Sequence, residues 1–319
     1  MTHIFETYSV IAVYSALAVY TVAFIAFTLD LARRSAPATA GVQTGTMATA
    51  SGGRATALLE RLATDAPAGM PGSTRQLRIA MGFAVAGWAL HVAATILRGL
   101  AAGRVPWANM FEFSLTATAI IVGVFLAAQF WQDLRFLGVY IIGFTMVLLG
   151  LAAVNFYVPI SPLPPALQSA WLVIHVFVAS LGTGFFAIGA GLSIAQLLQF
   201  RRETTGRGPG FLATLPSAAT LENLAYRVIL VGFVFWTFTL IAGAIWAERA
   251  WGRYWGWDTK EVWTFIIWTI FAGYIHARAT RGWRGSRSAW LAIVGFSAVM
   301  FNFTIVNLFF KGLHTYSGL

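Results

Sequence analysis

The chain has 319 residues, of which 58% are hydrophobic and only 10% are charged, whereas soluble domains carry roughly 25% charged residues. This composition indicates an integral membrane protein, and the absence of cysteine excludes disulfides, thiolate metal ligands and a cysteine nucleophile. The formal net charge of +10 does not indicate a nucleic-acid partner, because in a membrane protein the positions of the cations carry the information.

Eight apolar segments, each long enough to cross a bilayer as a helix, follow one another along the chain. They are residues 9–31, 77–98, 110–131, 136–156, 170–199, 224–247, 261–279 and 289–310. The apolar runs lack the period-two alternation of outer-membrane barrel strands. The first segment has neither the basic start nor the cleavage site of a signal peptide, so we expect it to be retained. The sequence therefore predicts an all-α, polytopic integral membrane protein with about eight transmembrane helices.

The distribution of lysine and arginine predicts how these helices are oriented. Of the 21 such residues, six fall in one set of alternate connections, namely Arg98, Arg104, Arg249, Arg253, Lys260 and Lys311. The other fifteen fall in the opposite set, which we therefore expect to face the cytoplasm. Both termini are then extracytoplasmic, and so is the segment between the sixth and seventh helices.

Composition also divides the chain into regions. Residues 1–34 form the first transmembrane helix, and residues 35–76, rich in Ala, Thr, Gly and Pro, are typical of a flexible cytoplasmic linker. One short helix is expected in this linker near residues 55–63. Residues 77–319 form the main membrane domain, in which an outer loop with four prolines between Pro159 and Pro165 should be stiff and extended.

The segment WAERAWGRYWGWDTKEVW, residues 246–263, crowds tryptophans and charged residues together. An aromatic belt at the membrane interface is one interpretation. The other is a ligand platform, because one helical turn would place Trp251 and Trp255 on the same face. Such a plate suits a flat apolar ligand with acidic groups, which Arg249, Arg253 or Lys260 would meet. Heme has this description, and in a chain without cysteine its iron calls for histidine.

The five histidines differ in their predicted depth. His175 and His314 lie at the outer ends of the fifth and eighth helices, at the same depth as the tryptophan segment. His276 lies about 22 Å below the outer end of the seventh helix, at about 1.5 Å per residue, and an ionisable group at such a depth usually faces a cavity or a partner. His91 is either a packing residue or a functional one, and His3 lies near a terminus.

The run GAIWAERAWGRYWGWDTKEVWTFIIWTIFAGYIHAR resembles the tryptophan-rich WWD signature of heme-handling membrane proteins. Its WGWD-x-KE-x-W form is similar to the CcsA (ResC) family of the System II cytochrome c biogenesis machinery, whereas CcmC and CcmF share only the WWD core. The segment PWANMFEFS, from Pro106 to Ser114, resembles the same family. Many relatives have proline where this chain has Thr259.

The resemblance implies a set of functional residues. The WWD loop, residues 246–263, would be extracytoplasmic and flanked by two heme-ligating histidines, His175 and His314, and His276 would hold heme within the membrane. The loop residues that would shape the heme platform are Trp251, Trp255, Trp257 and Asp258.

The resemblance also implies a function. The chain would be the heme-handling subunit of a System II cytochrome c synthase (heme lyase) complex in the plasma membrane, carrying heme b as cargo. Its partners would be a ResB/CcsB-type membrane subunit, an apocytochrome c with a CxxCH motif and a thiol-reducing accessory protein. Two alternatives remain open: a heme exporter whose partner performs ligation, and a membrane-bound redox cytochrome that keeps its heme.

Overall fold

A computed structural model describes residues 2–35 and 75–314, and within these ranges the regular structure is helical, without strands. The predicted linker at residues 35–76, with its short helix near residues 55–63, lies outside the described residues except at its two ends. Those ends belong to long helices on either side.

Within the described ranges, eight long helices follow in chain order: α1 (Thr2–Ser35), α2 (Arg75–Ala102), α3 (Met110–Ala128), α4 (Gly138–Asn155), α5 (Ala170–Thr205), α6 (Ala218–Trp251), α7 (Thr259–Thr280) and α8 (Ser286–Phe303). A short helix α9 (Ile305–Phe309) follows, and single 3-10 turns occupy Arg135–Leu137, Pro165–Leu167 and Gly210–Thr214. The predicted spans overlap α1 to α8 one by one. The predicted eighth span is interrupted at Thr304, between α8 and α9.

Seven of these helices are long and apolar enough to cross a membrane, which confirms a polytopic, all-α membrane protein. The eighth is α7, which is less apolar than the others because polar residues occupy both of its ends. Lys260 and Glu261 lie in its first turn, and His276 and Arg278 lie in its last two turns. Helix α7 packs against α6 and α8, so neighbouring helices cover part of its surface.

Helix packing builds the bundle from two closely packed pairs. Helices α1 and α2 form one pair and α5 and α6 form the other, and α3 and α4 lie between these pairs. Helix α8 packs against both α5 and α7. The centre of the core is aromatic: Phe186 of α5 stacks on Phe271 of α7, with ring centroids 3.7 Å apart. Apolar packing at this depth holds α5 to α8 in a fixed relation, and these helices carry the site described below.

Buried ion pairs fix both ends of the bundle. At the end that carries the 246–263 loop, Arg98 donates to Glu112 across 3.0 Å, and both side chains are fully buried. Arg104 donates to the same carboxylate across 2.6 Å, which ties the connection between α2 and α3 to the first turn of α3. At the opposite end Arg278 of α7 donates to Glu222 of α6 across 2.6 Å. Each of these buried cations therefore has a carboxylate partner.

Candidate functional site

His175 and His314 lie at the same end of the bundle, where both rings contact one tryptophan, Trp246. The His175 ring stacks on the Trp246 indole, with centroids 5.9 Å apart and planes 19° apart. The His314 ring meets Trp246 edge-on at 5.4 Å and Trp251 at 4.8 Å. The fold thus brings together two predicted site residues that lie far apart in sequence.

Helix α6 fixes the protonation pattern of His175. The ring Nδ1 lies 3.0 Å from the backbone carbonyl of Thr239. A carbonyl oxygen only accepts hydrogen bonds, so the Nδ1 atom carries the hydrogen and donates it. The Nε2 lone pair is then available to a metal. Gly243 leaves room for the ring, because a Cβ atom there would lie 2.7 Å from the His175 Cε1 atom.

The Asp258 carboxylate fixes the protonation pattern of His314 in the same way. Its Nδ1 atom lies 3.0 Å from Asp258 Oδ1, and the backbone N–H of Leu313 donates to Asp258 Oδ2 across 2.8 Å. A carboxylate is an acceptor, so Nδ1–H donates and Nε2 is again left for a metal. The Asp258 side chain therefore holds the segment that follows α9, through Leu313 and His314.

Asp258 is itself held by the start of α7. It is the N-cap residue and accepts from the Lys260 backbone N–H across 3.0 Å, and Glu261 completes a capping box. Burial raises the pKa of the Asp258 carboxyl, but the hydrogen bonds from the His314 ring and from the backbone outweigh burial and lower the pKa to about 2. Asp258 is thus an anion with its position fixed by a helix terminus.

A cavity opens beside the two histidines. It encloses about 1100 Å³, including the part open to solvent. His175, His314 and Trp255 line it, and it extends down to Ile121, about 16 Å below the start of α3 at about 1.5 Å per residue. Most of its wall is apolar. The polar exceptions on the α7 and α8 side are Lys260, Glu261, Thr264 and Asn302.

Trp251 and Trp255, which were predicted to form one flat surface, lie apart in the structure. Helix α6 ends at Trp251, because Gly252 adopts the left-handed conformation with φ 71°. The prediction that a helical turn places Trp251 and Trp255 on one face is therefore wrong. Trp251 packs on Trp246 instead, with centroids 4.7 Å apart. Trp255 lines the cavity and meets Trp257 edge-on at 5.9 Å.

Trp257 is exposed and strained. It is 76% exposed and has a φ angle of 59°, in the left-handed region that bulky residues rarely adopt. Such a conformation costs about 1–3 kcal/mol and persists only where its surroundings enforce it. Asp258, which follows Trp257 and is fixed as the N-cap residue of α7, provides one such constraint. Trp257 therefore presents its ring outward beside the cavity rather than into it.

His276 and His91 have different surroundings. His276 is exposed on α7, one turn from the end opposite to the loop, where Thr280 Oγ1 lies 3.3 Å from its Nε2 atom. His91 is fully buried, with Tyr20 Oη 3.3 Å from Nδ1 and the Leu115 carbonyl 2.9 Å from Nε2. Both nitrogens of His91 thus have protein partners, which favours its packing interpretation.

Sequence reasoning missed two residues of the site. Trp246 contacts both histidine rings, and Gly243 makes the space that His175 occupies. Both belong to the last turns of α6, so a helical projection from Trp251 back to Gly243 would have placed them near the loop. The contact of either residue with a histidine on another element is not visible from sequence.

Comparison with known proteins identifies the family. A family model described as cytochrome C assembly protein matches residues 107–314. CcsA, a cytochrome c biogenesis protein, is 35% identical over 266 residues in Microcystis aeruginosa and 35% identical over 265 residues in Synechococcus elongatus, each alignment covering 69% of this chain and 81% of the relative.

A solved structure shows the same fold. The cytochrome c heme lyase CcmF superposes with a TM-score of 0.64 at 16% identity over 94% of this chain, and the chain spans 46% of that protein. The family match and the relatives cover the region that carries both histidines and the tryptophan loop, so the chain belongs to the CcsA family of cytochrome c assembly proteins.

Proposed function

We propose that this protein, whose family membership gives it a role in cytochrome c biogenesis, is the heme-handling subunit of a System II cytochrome c synthase. It carries heme b as cargo across the plasma membrane and presents it on the extracytoplasmic side for attachment to the CxxCH motif of an apocytochrome c. The observation that carries this proposal is the pair His175 and His314, each with Nδ1–H engaged by a fixed acceptor beside one large cavity.

The ligand set suits heme. Iron in heme already has four ring nitrogens, so it needs only axial ligands from the protein. Neutral imidazoles with a free Nε2 provide such ligands, and the acceptors behind them fix each ring's tautomer and orientation. The apolar wall of the cavity fits the body of the macrocycle, and Trp255 contributes an aromatic face. Trp251 and Asp258 shape the site from the loop through their contacts with His314, and the exposed Trp257 ring lies beside the cavity.

The chemistry of attachment needs position more than an acid or a base. A substrate thiol adds across a heme vinyl group, forming C–S and C–H bonds while the S–H bond and the vinyl π bond are lost. The protein's residues hold the macrocycle, exclude water and keep the iron coordinated until the substrate histidine replaces one ligand. A thiol-reducing accessory protein keeps the substrate cysteines able to react.

His276 has a separate role in this proposal. Its exposure on α7, away from the two other histidines, leaves its ring accessible to a neighbouring subunit. A ResB/CcsB-type membrane partner would supply the second iron ligand there, and heme would then pass from His276 toward the outer cavity. The asymmetric distribution of lysine and arginine supports this direction, because the cation-rich connections lie at the end nearer His276.

The test is the visible absorption spectrum of the protein purified with its ResB-type partner. Wild type is compared with His175→Ala, His314→Ala and His276→Ala, and His3→Ala, an exposed histidine near the N-terminus, is the matched control. We expect heme in the wild type and the control, and an altered or lost heme spectrum in the first two variants. Absence of heme, or identical spectra in all variants, would refute the ligand assignment.

A second step separates the alternative functions. Apocytochrome c is added to the heme-loaded complex, and thioether attachment is followed by heme that stays with the client after denaturation. A synthase transfers heme covalently. A pure exporter carries heme but yields no thioether product, and a redox cytochrome retains its heme when the client is supplied.

A further inference from the structure

Lys260 differs from the other cations that the bundle withdraws from water. Arg98, Arg104 and Arg278 each have a carboxylate partner. In the part of the chain that the structure describes, the Lys260 ammonium has no carboxylate oxygen within 4.0 Å, and Nζ donates to the neutral amide oxygen of Asn307. A partly buried cation with no carboxylate in contact is costly, because burial weakens its hydration and the Asp258 charge acts on it only from a longer distance.

Lys260 also lies on the wall of the cavity that both histidines line. Arg249 and Arg253, the other loop cations that the sequence offers for acidic groups, do not line this cavity. Arg249 is exposed on a separate depression beside Glu248, and the Arg253 guanidinium lies over Gly256. Of the three, the fold therefore selects Lys260 as the cation that a ligand in the cavity meets.

Two buried acceptors near Lys260 give this wall its polar character. Glu261 Oε2 accepts the backbone N–H groups of Gly256 and Asp258, but its Oε1 atom is buried and has no partner among the described residues. The Asn302 Oδ1 atom is likewise buried without a hydrogen-bond partner among the described residues, and Glu261 and Asn302 both line the cavity. Unsatisfied buried acceptors cost about 1–3 kcal/mol each, so water molecules that bridge them to a polar ligand group would stabilise this wall.

We propose that Lys260 binds the carboxylate groups of the tetrapyrrole and so sets the orientation of the macrocycle in the cavity. This inference rests on the proposed function and adds to it a residue that recognises the acidic edge of the cargo. The remaining walls of the cavity are mainly apolar, so a flat molecule with one acidic edge loses the least hydration when that edge faces Lys260. The opposite edge of the macrocycle, which carries the vinyl groups, then faces away from α7.

The experiment compares heme with heme dimethyl ester, which has the same ring and iron but no carboxylates. Equilibrium dissociation constants are measured by absorption titration of the heme-depleted complex with its ResB-type partner in nanodiscs. The wild type should prefer heme over the ester by about tenfold to hundredfold, as expected for one charge-assisted hydrogen bond. Lys260→Gln should reduce this preference to about one, whereas Lys260→Arg and the matched control Arg249→Gln should retain it.

The outcomes distinguish this inference from the proposed function. If the wild type binds neither compound, the proposed function and this inference both fall. If heme binds through His175 and His314 but the wild type binds the ester equally well, only the role of Lys260 is overturned. The same holds if Lys260→Gln retains the preference. The wild-type comparison needs no variant, so the inference stays testable even where Lys260→Gln fails to fold.

Discussion

Replacing Asp258 should release His314 from the start of α7. Asp258 accepts one hydrogen bond from the His314 ring and one from the Leu313 backbone. Hydrogen bonds to a charged acceptor contribute about 1.5–3 kcal/mol each, and partial exposure of this segment favours the lower figure. Asp258→Ala should therefore cost about 3 kcal/mol in the docking of residues 311–314, which is roughly a hundredfold change in the equilibrium between docked and released segments.

Asp258→Asn is the matched comparison. Asparagine is as good an N-cap as aspartate, so the start of α7 is retained. It keeps one acceptor oxygen and puts an amide N–H₂ group where the other oxygen stood, so it can accept only one of the two hydrogen bonds. We expect an intermediate effect of about tenfold on docking.

The assay is the mobility of a nitroxide attached at Lys311→Cys. The chain has no cysteine of its own, so the label reports on one position. The electron paramagnetic resonance spectrum should show an ordered label on the unsubstituted background, a mixture with Asp258→Asn and a mobile label with Asp258→Ala. The amount of heme bound at the site of His175 and His314 should decline in the same order, from the unsubstituted background through Asp258→Asn to Asp258→Ala. An Asp258→Ala protein with an ordered label and full heme content would show that the carboxylate does not hold His314.

Two other substitutions test the surroundings of the histidines. Gly243→Ala should push the His175 ring away from the Thr239 carbonyl, because the new Cβ would lie 2.7 Å from Cε1, and the heme spectrum should change. Gly273→Ala on α7 is its control, since a Cβ there meets nothing within 4 Å and the spectrum should be unaltered. His91→Ala should lower thermal stability, since it leaves buried polar partners unpaired at about 1–3 kcal/mol each. It should nevertheless leave cytochrome c maturation less impaired than His276→Ala does, and an equal loss would assign His91 a direct role.

Among the described residues, hydropathy was sufficient to predict the order and approximate positions of the eight long helices, because roughly 20 apolar residues in a row have one stable arrangement in lipid. The same reasoning put His175 and His314 at one end, since depth follows from position along a helix. It failed within the loop, where the left-handed Gly252 stops α6 at Trp251. A glycine tolerates both helical and left-handed conformations, so sequence alone did not distinguish continuation from termination.

Side-chain contacts between residues on different helices and loops could not be predicted from the sequence. The contact between Asp258 and His314 joins residues 56 positions apart, and nothing in either local sequence indicates the other. The N-cap role of Asp258 was readable from its position before Lys260 and Glu261. Its second role depends on where α8 and α9 deliver the end of the chain, which is a property of helix packing.

The two iron-ligand candidates differ in how much of the molecule must move for each to withdraw. His175 lies in the second turn of the long helix α5, so removing its imidazole from the cavity means rotating a packed side chain or shifting the helix itself. His314 belongs to a non-helical segment attached by one carboxylate and by edge contacts with two tryptophans. Under the proposed function, displacing His314 from the iron should therefore require less structural rearrangement than displacing His175. If both histidines ligate heme iron as proposed, an incoming substrate histidine would meet the lower barrier by replacing His314, and His175 would keep the heme bound during the exchange.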